Sequence, residues 1–349
     1  MTQPVPPPWD PERDEALICV AVRPETHDVS TFTFAPEQPR LFRFLPGQFM
    51  TFDLDGASVQ RCYTIASPPT RPWRIEITAK RSLGPGAGWL HRALQPGMRV
   101  RASGPMGDFS CEPKQGGKYL FLSAGSGVTP LMSMARSVHD LGGDADIVFL
   151  HSSRSPADLI FADELAVMAR RPGFRPISIV ETDAPGARWD GFRGRLSPAI
   201  LALSAPDLLD REVFCCGPAP YMAAARRLLD EAGFDRARYH EESFDFAAPE
   251  PPAITPPTIA PGPGFTIQFT RLARAITCPP GTTVLAAARA AGLRLPSACA
   301  KGVCGTCKSR LLSGTVEMRH AGGIRQREID DGLALLCCSR PTSDLVVER

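Results

Sequence analysis

No apolar run in this 349-residue sequence comes near the roughly 18 residues that a membrane-spanning helix requires. Residues 1–15 are rich in proline and acid and lack the apolar stretch of a secretory signal, so a cytoplasmic chain is the expectation. Neither sign of charge dominates: the formal net charge is +2, which gives no argument for nucleic acid or an anionic membrane. Histidine is sparse, with six residues scattered at 27, 91, 139, 151, 240 and 320. They form neither a paired-His iron–sulfur element nor a two-His-one-carboxylate iron site, so oxygen activation is not expected on this chain. No internal repeat is visible. Apolar residues at 43% and charged residues at 22% are ordinary for globular domains, and the length allows two or three of them.

Proline and cysteine are what the sequence has in quantity. Residues 247–264 hold seven prolines in eighteen positions and no periodic apolar face, which favours extended polyproline II and reads as an inter-domain linker. Before residue 113, short β-rich runs at 17–22, 30–34, 49–54 and 75–79 are separated by turn residues, the pattern of an antiparallel barrel. After it, apolar strands at 119–123, 147–151 and 213–216 are each followed by a helical stretch, at 130–141, 162–169 and 221–232. That alternation predicts a parallel α/β sheet. Beyond the linker, 266–270 and 274–278 suit a hairpin and 284–291 a helix.

Eleven cysteines, an odd number in a chain expected to be cytoplasmic, argue against a disulfide framework. Cys299-Ala-Lys-Gly-Val-Cys304-Gly-Thr-Cys307 gives C-x4-C-x2-C, and Cys337 follows after 29 further residues. That is plant-type [2Fe–2S] spacing. One loop must offer three thiolates to a flat two-iron cluster, and Gly302 and Gly305 stand where the chain turns tightly beside inorganic sulfur. Amides there can donate to the cluster sulfurs and tune its potential. The alternative is structural zinc, but zinc usually takes two C-x2-C knuckles and only one close pair exists here. Cys338 adjoins the fourth ligand. The spacing favours Cys337, and on a strand only one of the two neighbours can face the cluster. Cys19, Cys62, Cys111 and Cys278 read as small apolar residues.

Two further constellations carry chemistry. Arg61-Cys62-Tyr63-Thr64 is preceded by Leu45-Pro46-Gly47-Gln48-Phe49 and followed by Gly104-Pro105-Met106-Gly107-Asp108-Phe109. Alone, Arg-x-Tyr-Thr is a half-exposed edge strand. Ser123-Ala-Gly125-Ser-Gly127-Val-Thr129-Pro130 follows a strand and opens a helix, a turn suited to a pyrophosphate. Cys216-Gly217-Pro218-Ala219-Pro220-Tyr221-Met222 follows another strand. With the cysteine loop, these strings resemble the ferredoxin–NADP reductase superfamily in the order flavin, nicotinamide, C-terminal ferredoxin. The resemblance covers nearly everything from Trp9 to the end.

The resemblance implies a multidomain chain: an antiparallel β-barrel flavin-binding domain at 10–112, an NAD(P)-binding α/β parallel-sheet domain at 113–246, the linker at 247–263 and an α+β (β-grasp) [2Fe–2S] ferredoxin domain at 264–349. It implies that Arg61 holds a flavin phosphate, that Tyr63 lies against the isoalloxazine and that Thr64 offers its hydroxyl near the flavin N5. Gly86 and Gly88, in Gly84-Pro-Gly86-Ala-Gly88-Trp-Leu-His, stand where relatives carry a longer turn and a serine. FAD is the expected flavin and FMN the alternative. Gly125, Gly127 and Thr129 would cradle the dinucleotide, and Cys216 with Gly217 would lie beside the nicotinamide carbon that gives up hydride. Arg154 would lie near the adenosine ribose of NADH, though with Ser152 and Ser153 it could hold the 2′-phosphate of NADPH. Phe244, in His240-Glu-Glu-Ser-Phe244, would cover the flavin ring or cap the domain edge. Cys299, Cys304, Cys307 and Cys337 would bind the cluster.

The expected path is NADH to FAD to [2Fe–2S] to a separate terminal protein, because a flavin stands between a two-electron donor and a one-electron acceptor. The resemblance implies a Rieske-type oxygenase that demethylates a methylated amine such as glycine betaine, or alternatively a hybrid-cluster protein. A redox sensor is the alternative class. Residues 264–349 carry twelve Lys or Arg against six acids, +6, leaving −4 on the remainder. With Lys301 and Lys308 in or beside the cluster loop, an acidic docking face on the partner is expected.

Overall fold

The computed structural model describes residues 5–10, 15–54, 59–83, 85–111, 117–183, 189–244, 264–293, 295, 302, 307–320, 324 and 326–349. The linker, Cys299, Lys301, Cys304 and Gly305 lie outside them. Two compact units emerge, Met1–Phe244 and Asp245–Arg349.

The first unit opens with strands β1 (Glu15–Pro24), β2 (Val29–Pro36), β3 (Phe49–Leu54), β4 (Val59–Thr64) and β5 (Ile75–Lys80), helix α1 (Pro85–Ala93) and strand β6 (Arg99–Met106). They form an antiparallel sheet in the order β4-β3-β6-β1-β2-β5. A bridge between Ile65 and Ile77 brings the two outer strands together and curls the sheet into a barrel. Inward residues follow the two-residue alternation: Phe32 and Phe34 on β2, Met50, Phe52 and Leu54 on β3, Ile75 and Ile77 on β5 are all 1% exposed or less. Leu90 and Leu94 plug one end from α1 and the residues after it.

The chain then alternates as β7 (Lys118–Ala124), α2 (Val128–Leu141), β8 (Asp146–Ser153), α3 (Ala162–Met168), β9 (Phe174–Val180), β10 (Phe192–Arg193), α4 (Pro198–Ser204), β11 (Glu212–Cys216), α5 (Ala219–Glu231) and β12 (Tyr239–Glu242). All neighbours are parallel, in the order β10-β9-β8-β7-β11-β12. The chain winds outward in opposite directions from β7 and β11. The crevice at the carboxyl ends of those two strands is therefore where such a sheet binds ligands. Residues 128–138 of α2 are buried, because the helix is covered on both sides by the sheet and the barrel.

The second unit comprises β13 (Phe265–Phe269), β14 (Arg274–Cys278), α6 (Val284–Ala290), β15 (Lys308–Ser313), β16 (Val316–Met318), α7 (Gln326–Asp330), β17 (Leu333–Leu335), β18 (Ser339–Pro341) and β19 (Leu345–Glu348). Its mixed sheet runs β14-β13-β19-β15-β17, with β13 and β19 parallel, and a two-stranded ribbon pairs β16 with β18. Thr283 caps α6 by accepting from the Ala286 amide at 3.3 Å. Val284, Leu285 and Ala288 of α6 pack with Ile267, Phe269 and Leu345 of the sheet, the helix-on-sheet arrangement of a β-grasp domain.

Candidate functional site

Strand β4 carries Arg61, Tyr63 and Thr64 at the outer edge of the barrel sheet. The aliphatic stem of Arg61 crosses the first turn of α1: a methyl placed on Gly86 would lie 2.5 Å from Arg61 Cγ and 3.1 Å from Nε. Gly86 is thus required by close approach, and it brings a guanidinium beside the amides that open a nine-residue helix. A planar donor fork and the amides at a helix N-terminus are a donor set that suits a phosphate. Gly88 is held against the Ser82 carbonyl, 2.8 Å from where a methyl would stand. Tyr63 is partly buried, its ring 6.0 Å from that of Phe52. Burial pushes its hydroxyl above the ordinary range, opposed by the Arg61 charge. Thr64 is 5% exposed and ends the strand.

The second site lies at the β7–β11 crevice. Gly125 adopts φ +53°, a left-handed conformation natural to glycine, and nothing lies within 4 Å of where a side chain would stand. The turn therefore leaves open space in front of the amides that start α2. Gly127 instead packs tightly, its missing methyl 2.2 Å from the Cys216 carbonyl oxygen. Gly217 closes on Ala124 in the same way, with 3.1 Å to the Ala124 Cβ. Thr129 is 2% exposed and donates to the Ser126 carbonyl at 3.0 Å, fixing the turn. Gly125, Gly127, Thr129, Cys216 and Gly217 are thus brought together.

Cys216 is fully buried, and burial pushes its thiol well above the ordinary range, reinforced by Glu242. Glu242 is its register partner on β12. Glu242 is partly exposed as a residue, yet its Oε2 is shut off from solvent and has no hydrogen-bond partner among the described residues. Burial pushes that carboxyl up to about 8. Cys216 and Glu242 are thus neighbours across the β11–β12 pair, and burial disfavours the anion of each. Glu242 was visible in the His240-to-Phe244 string, but its register with Cys216 was not. Phe244, two residues beyond β12, is partly buried.

Arg154 directly follows β8. Its Nη2 donates to Asp158 Oδ1 at 2.5 Å and to Asp28 Oδ2 at 3.3 Å. Asp28 comes from the turn between β1 and β2. Ser153 is also engaged, donating to the Ser155 carbonyl at 2.8 Å. Asp158 lies in the same sequence string as Arg154, whereas Asp28 was not singled out by the sequence.

In the second unit, Cys307 and Cys337 are 3% and 7% exposed, and the Cys337 amide donates to Cys307 Sγ at 3.4 Å. A buried sulfur accepting from a backbone amide is the donor set expected of a cluster thiolate. The expectation that strand alternation separates Cys337 from Cys338 is corrected: both lie in a turn between β17 and β18, where the Cys338 amide donates to the Leu335 carbonyl at 3.1 Å. The turn directs the Cys338 sulfur to that carbonyl, at 3.6 Å. Lys308 follows Cys307 directly and opens β15. It is 19% exposed and bound to Glu328 at 2.7 Å, so its charge is matched inside the domain. Cys299 and Cys304 lie outside the described residues. None of the described cysteines forms a disulfide.

Comparison with known proteins agrees with this geometry. Residues 19–111 match the oxidoreductase FAD-binding domain, 121–227 the oxidoreductase NAD-binding domain and 268–342 the 2Fe-2S iron-sulfur cluster binding domain. The chain is 44% identical over 343 residues to the glycine betaine monooxygenase reductase subunit of Pseudomonas aeruginosa, spanning 95% of this chain and 94% of that one. It is 42% identical to the stachydrine N-demethylase reductase subunit of Rhizobium meliloti, over 96% of both. Identity to the NADH oxidoreductase HCR of Escherichia coli is 34%, over 93% of this chain and 94% of that one. Among solved structures, phthalate dioxygenase reductase shares the fold with a TM-score of 0.60 at 24% identity, covering 96% of this chain and 97% of that one. Fold and matches together define a modular flavin and iron–sulfur oxidoreductase. The chain belongs to the ferredoxin–NADP reductase superfamily, in the form with FAD-binding, NAD-binding and C-terminal [2Fe–2S] ferredoxin domains. No helix among the described residues is long and apolar enough to cross a membrane.

Proposed function

We propose that this chain is the NADH-dependent reductase component of a two-protein system whose terminal member is a Rieske-type oxygenase that demethylates a methylated amine such as glycine betaine. The carrying observation is the 44% identity, over nearly the whole of both chains, to a glycine betaine monooxygenase reductase subunit. The stachydrine N-demethylase relative supports the same substrate class, since both named substrates carry a methylated quaternary nitrogen. The lower identity to the HCR oxidoreductase makes a hybrid-cluster acceptor the second reading.

In this reading the domains divide at 10–112, 113–246, 247–263 and 264–349. Arg61 and the start of α1, with Gly86 and Gly88, hold the FAD phosphate. Tyr63 would lie against the flavin ring, Thr64 would offer its hydroxyl near N5 and Phe244 would cover the ring. Gly125, Gly127 and Thr129 hold the pyrophosphate of NADH, and Cys216, Gly217 and Glu242 receive the nicotinamide. Cys299, Cys304, Cys307 and Cys337 bind the cluster. When bound, the flavin converts a two-electron hydride into single electrons that a [2Fe–2S] cluster can accept. The engagement of Arg154 by Asp28 and Asp158 supports NADH, since two carboxylates at that guanidinium repel a 2′-phosphate.

The +6 of residues 264–349 supports an acidic docking face on the partner, although Lys308 contributes less than its position suggested. Partner reduction should slow with rising salt while NADH–ferricyanide activity serves as the control. The substrate reading is tested by combining the protein with a Rieske oxygenase from the same cell, NADH, oxygen and glycine betaine. Formaldehyde release matched to NADH consumption supports it, and uncoupled NADH oxidation with no formaldehyde overturns it.

A further inference from the structure

One face of α2 grips the chain that leaves the flavin strand. Arg136 is 3% exposed, and its guanidinium uses every nitrogen. Nη1 donates to the Ala66 carbonyl at 2.7 Å and to Glu76 Oε2 at 3.4 Å. Nε and Nη2 form a fork on Glu164, at 2.8 and 2.6 Å. The guanidinium carbon stands 4.8 Å from the centre of the Phe161 ring. Phe161 itself holds φ +61°, a strained backbone for a bulky residue, of the kind that persists where the surroundings enforce it. Burial alone would raise the Glu164 carboxyl, yet hydrogen bonds and charge from Arg136 hold it below the ordinary range.

The contact is continued along the helix. Ser133 Oγ donates to the Ser67 carbonyl at 2.8 Å. Asp140 accepts from Thr70 at 2.5 Å and from Arg71 at 2.9 and 2.8 Å. Ser133, Arg136 and Asp140 are spaced three and four apart, so they share one helix face. The groups they hold all lie within residues 66–71, shortly after Thr64. The same helix begins on the Gly125–Gly127 turn, about two and a half turns before Arg136.

We propose that Arg136 is a positioning residue for hydride transfer, locking the strand that bears Thr64 to the helix that opens on the dinucleotide turn. The proposal rests on the site reading above, with flavin at Arg61–Thr64 and dinucleotide at Gly125–Gly127. Hydride passes from the nicotinamide to the flavin with both its electrons, and the rate depends steeply on the approach of the two rings. Both rings are held by backbone that Arg136 ties together. Binding of each cofactor uses other residues, so loss of the tie should slow the transfer without loosening either cofactor. Lysine cannot replace the arginine fully, since it keeps the charge but not the planar fork.

The test uses full-length holoprotein with Arg136→Met, Arg136→Lys and Ser133→Ala. Under anaerobic conditions, the limiting rate of flavin reduction at saturating NADH should fall about tenfold or more in Arg136→Met. Flavin content and the Kd for NADH should be unchanged, and the isotope effect with deuterated NADH should rise. Arg136→Lys and Ser133→Ala should show smaller losses, and they carry the test if Arg136→Met does not fold. Hydrogen exchange in flavin-free protein gives a readout apart from catalysis: the amides of Ala66, Ser67, Thr70 and Arg71 should lose protection while those of β11 keep it. A wild-type limiting rate and unchanged protection at 66–71 in the folded variants would overturn the proposal. A wrong site reading shows itself differently, as full flavin retention in Arg61→Ala.

Discussion

Arg61 lies across Gly86, so closely that a methyl on the glycine would meet the arginine stem at 2.5 Å. Replacing Arg61 by Ala should weaken flavin binding by about 1.5–3 kcal/mol, roughly ten- to hundredfold, through loss of a charge-assisted clamp. Gly86→Val should weaken it in the same direction by displacing the arginine. Titration of flavin-free protein followed by flavin fluorescence checks both, and unchanged affinity in Arg61→Ala would remove Arg61 from the phosphate site.

Cys337 and Cys338 should behave oppositely. Cys337→Ser should abolish cluster absorbance and the reduced-state paramagnetic signal while leaving flavin absorbance, and Cys304→Ser should do the same. Cys338→Ser should keep two irons per chain, because its sulfur faces a carbonyl in the turn. Iron and acid-labile sulfide analysis decides, and loss of the cluster in Cys338→Ser alone would reverse the assignment.

The carboxylates on Arg154 should set nucleotide preference. Wild type should favour NADH. Asp158→Asn should raise the ratio of kcat/KM for NADPH over NADH by roughly three- to tenfold, a modest change because Arg154 is 59% exposed and screened. A ratio that does not move would show that the 2′ position lies elsewhere.

His151 supplies an acid-sensitive contribution to stability. It is 1% exposed, Nδ1 lies 2.8 Å from Ser123 Oγ, and Nε2 has no partner among the described residues. Burial lowers its pKa from 6.5 to about 4, with the Ser123 contact opposing. The unfolded chain therefore binds the proton first as pH falls. The contribution, about 3 kcal/mol, is fully present above pH 6.5 and is lost toward pH 4. In chemical unfolding followed over this range, His151→Gln should fall in stability less steeply than wild type. Parallel curves would contradict a buried neutral histidine.

Much of this was legible in the sequence because the chemistry sits in short strings. The cysteine loop, Arg-x-Tyr-Thr and the two glycine turns each keep their parts within a dozen residues, and local spacing encodes their geometry. Glu242 beside Cys216, Asp28 on Arg154 and Arg136 on Ala66 join residues 26 to 126 positions apart. Nothing in local periodicity reports such contacts. The choice between Cys337 and Cys338 was reached by spacing, but the physical device is a turn rather than strand alternation. Charge counting over residues 264–349 likewise cannot see that Glu328 pairs with Lys308.

The most direct measurement compares the full-length protein with a chain ending at Pro249. Each is given NADH anaerobically, first with ferricyanide and then with the purified terminal oxygenase. Both should reduce ferricyanide at similar rates per flavin, and only the full-length protein should reduce the oxygenase. Equal reduction of the oxygenase by the shortened chain would show that electrons leave from the flavin, contradicting transfer through the [2Fe–2S] domain.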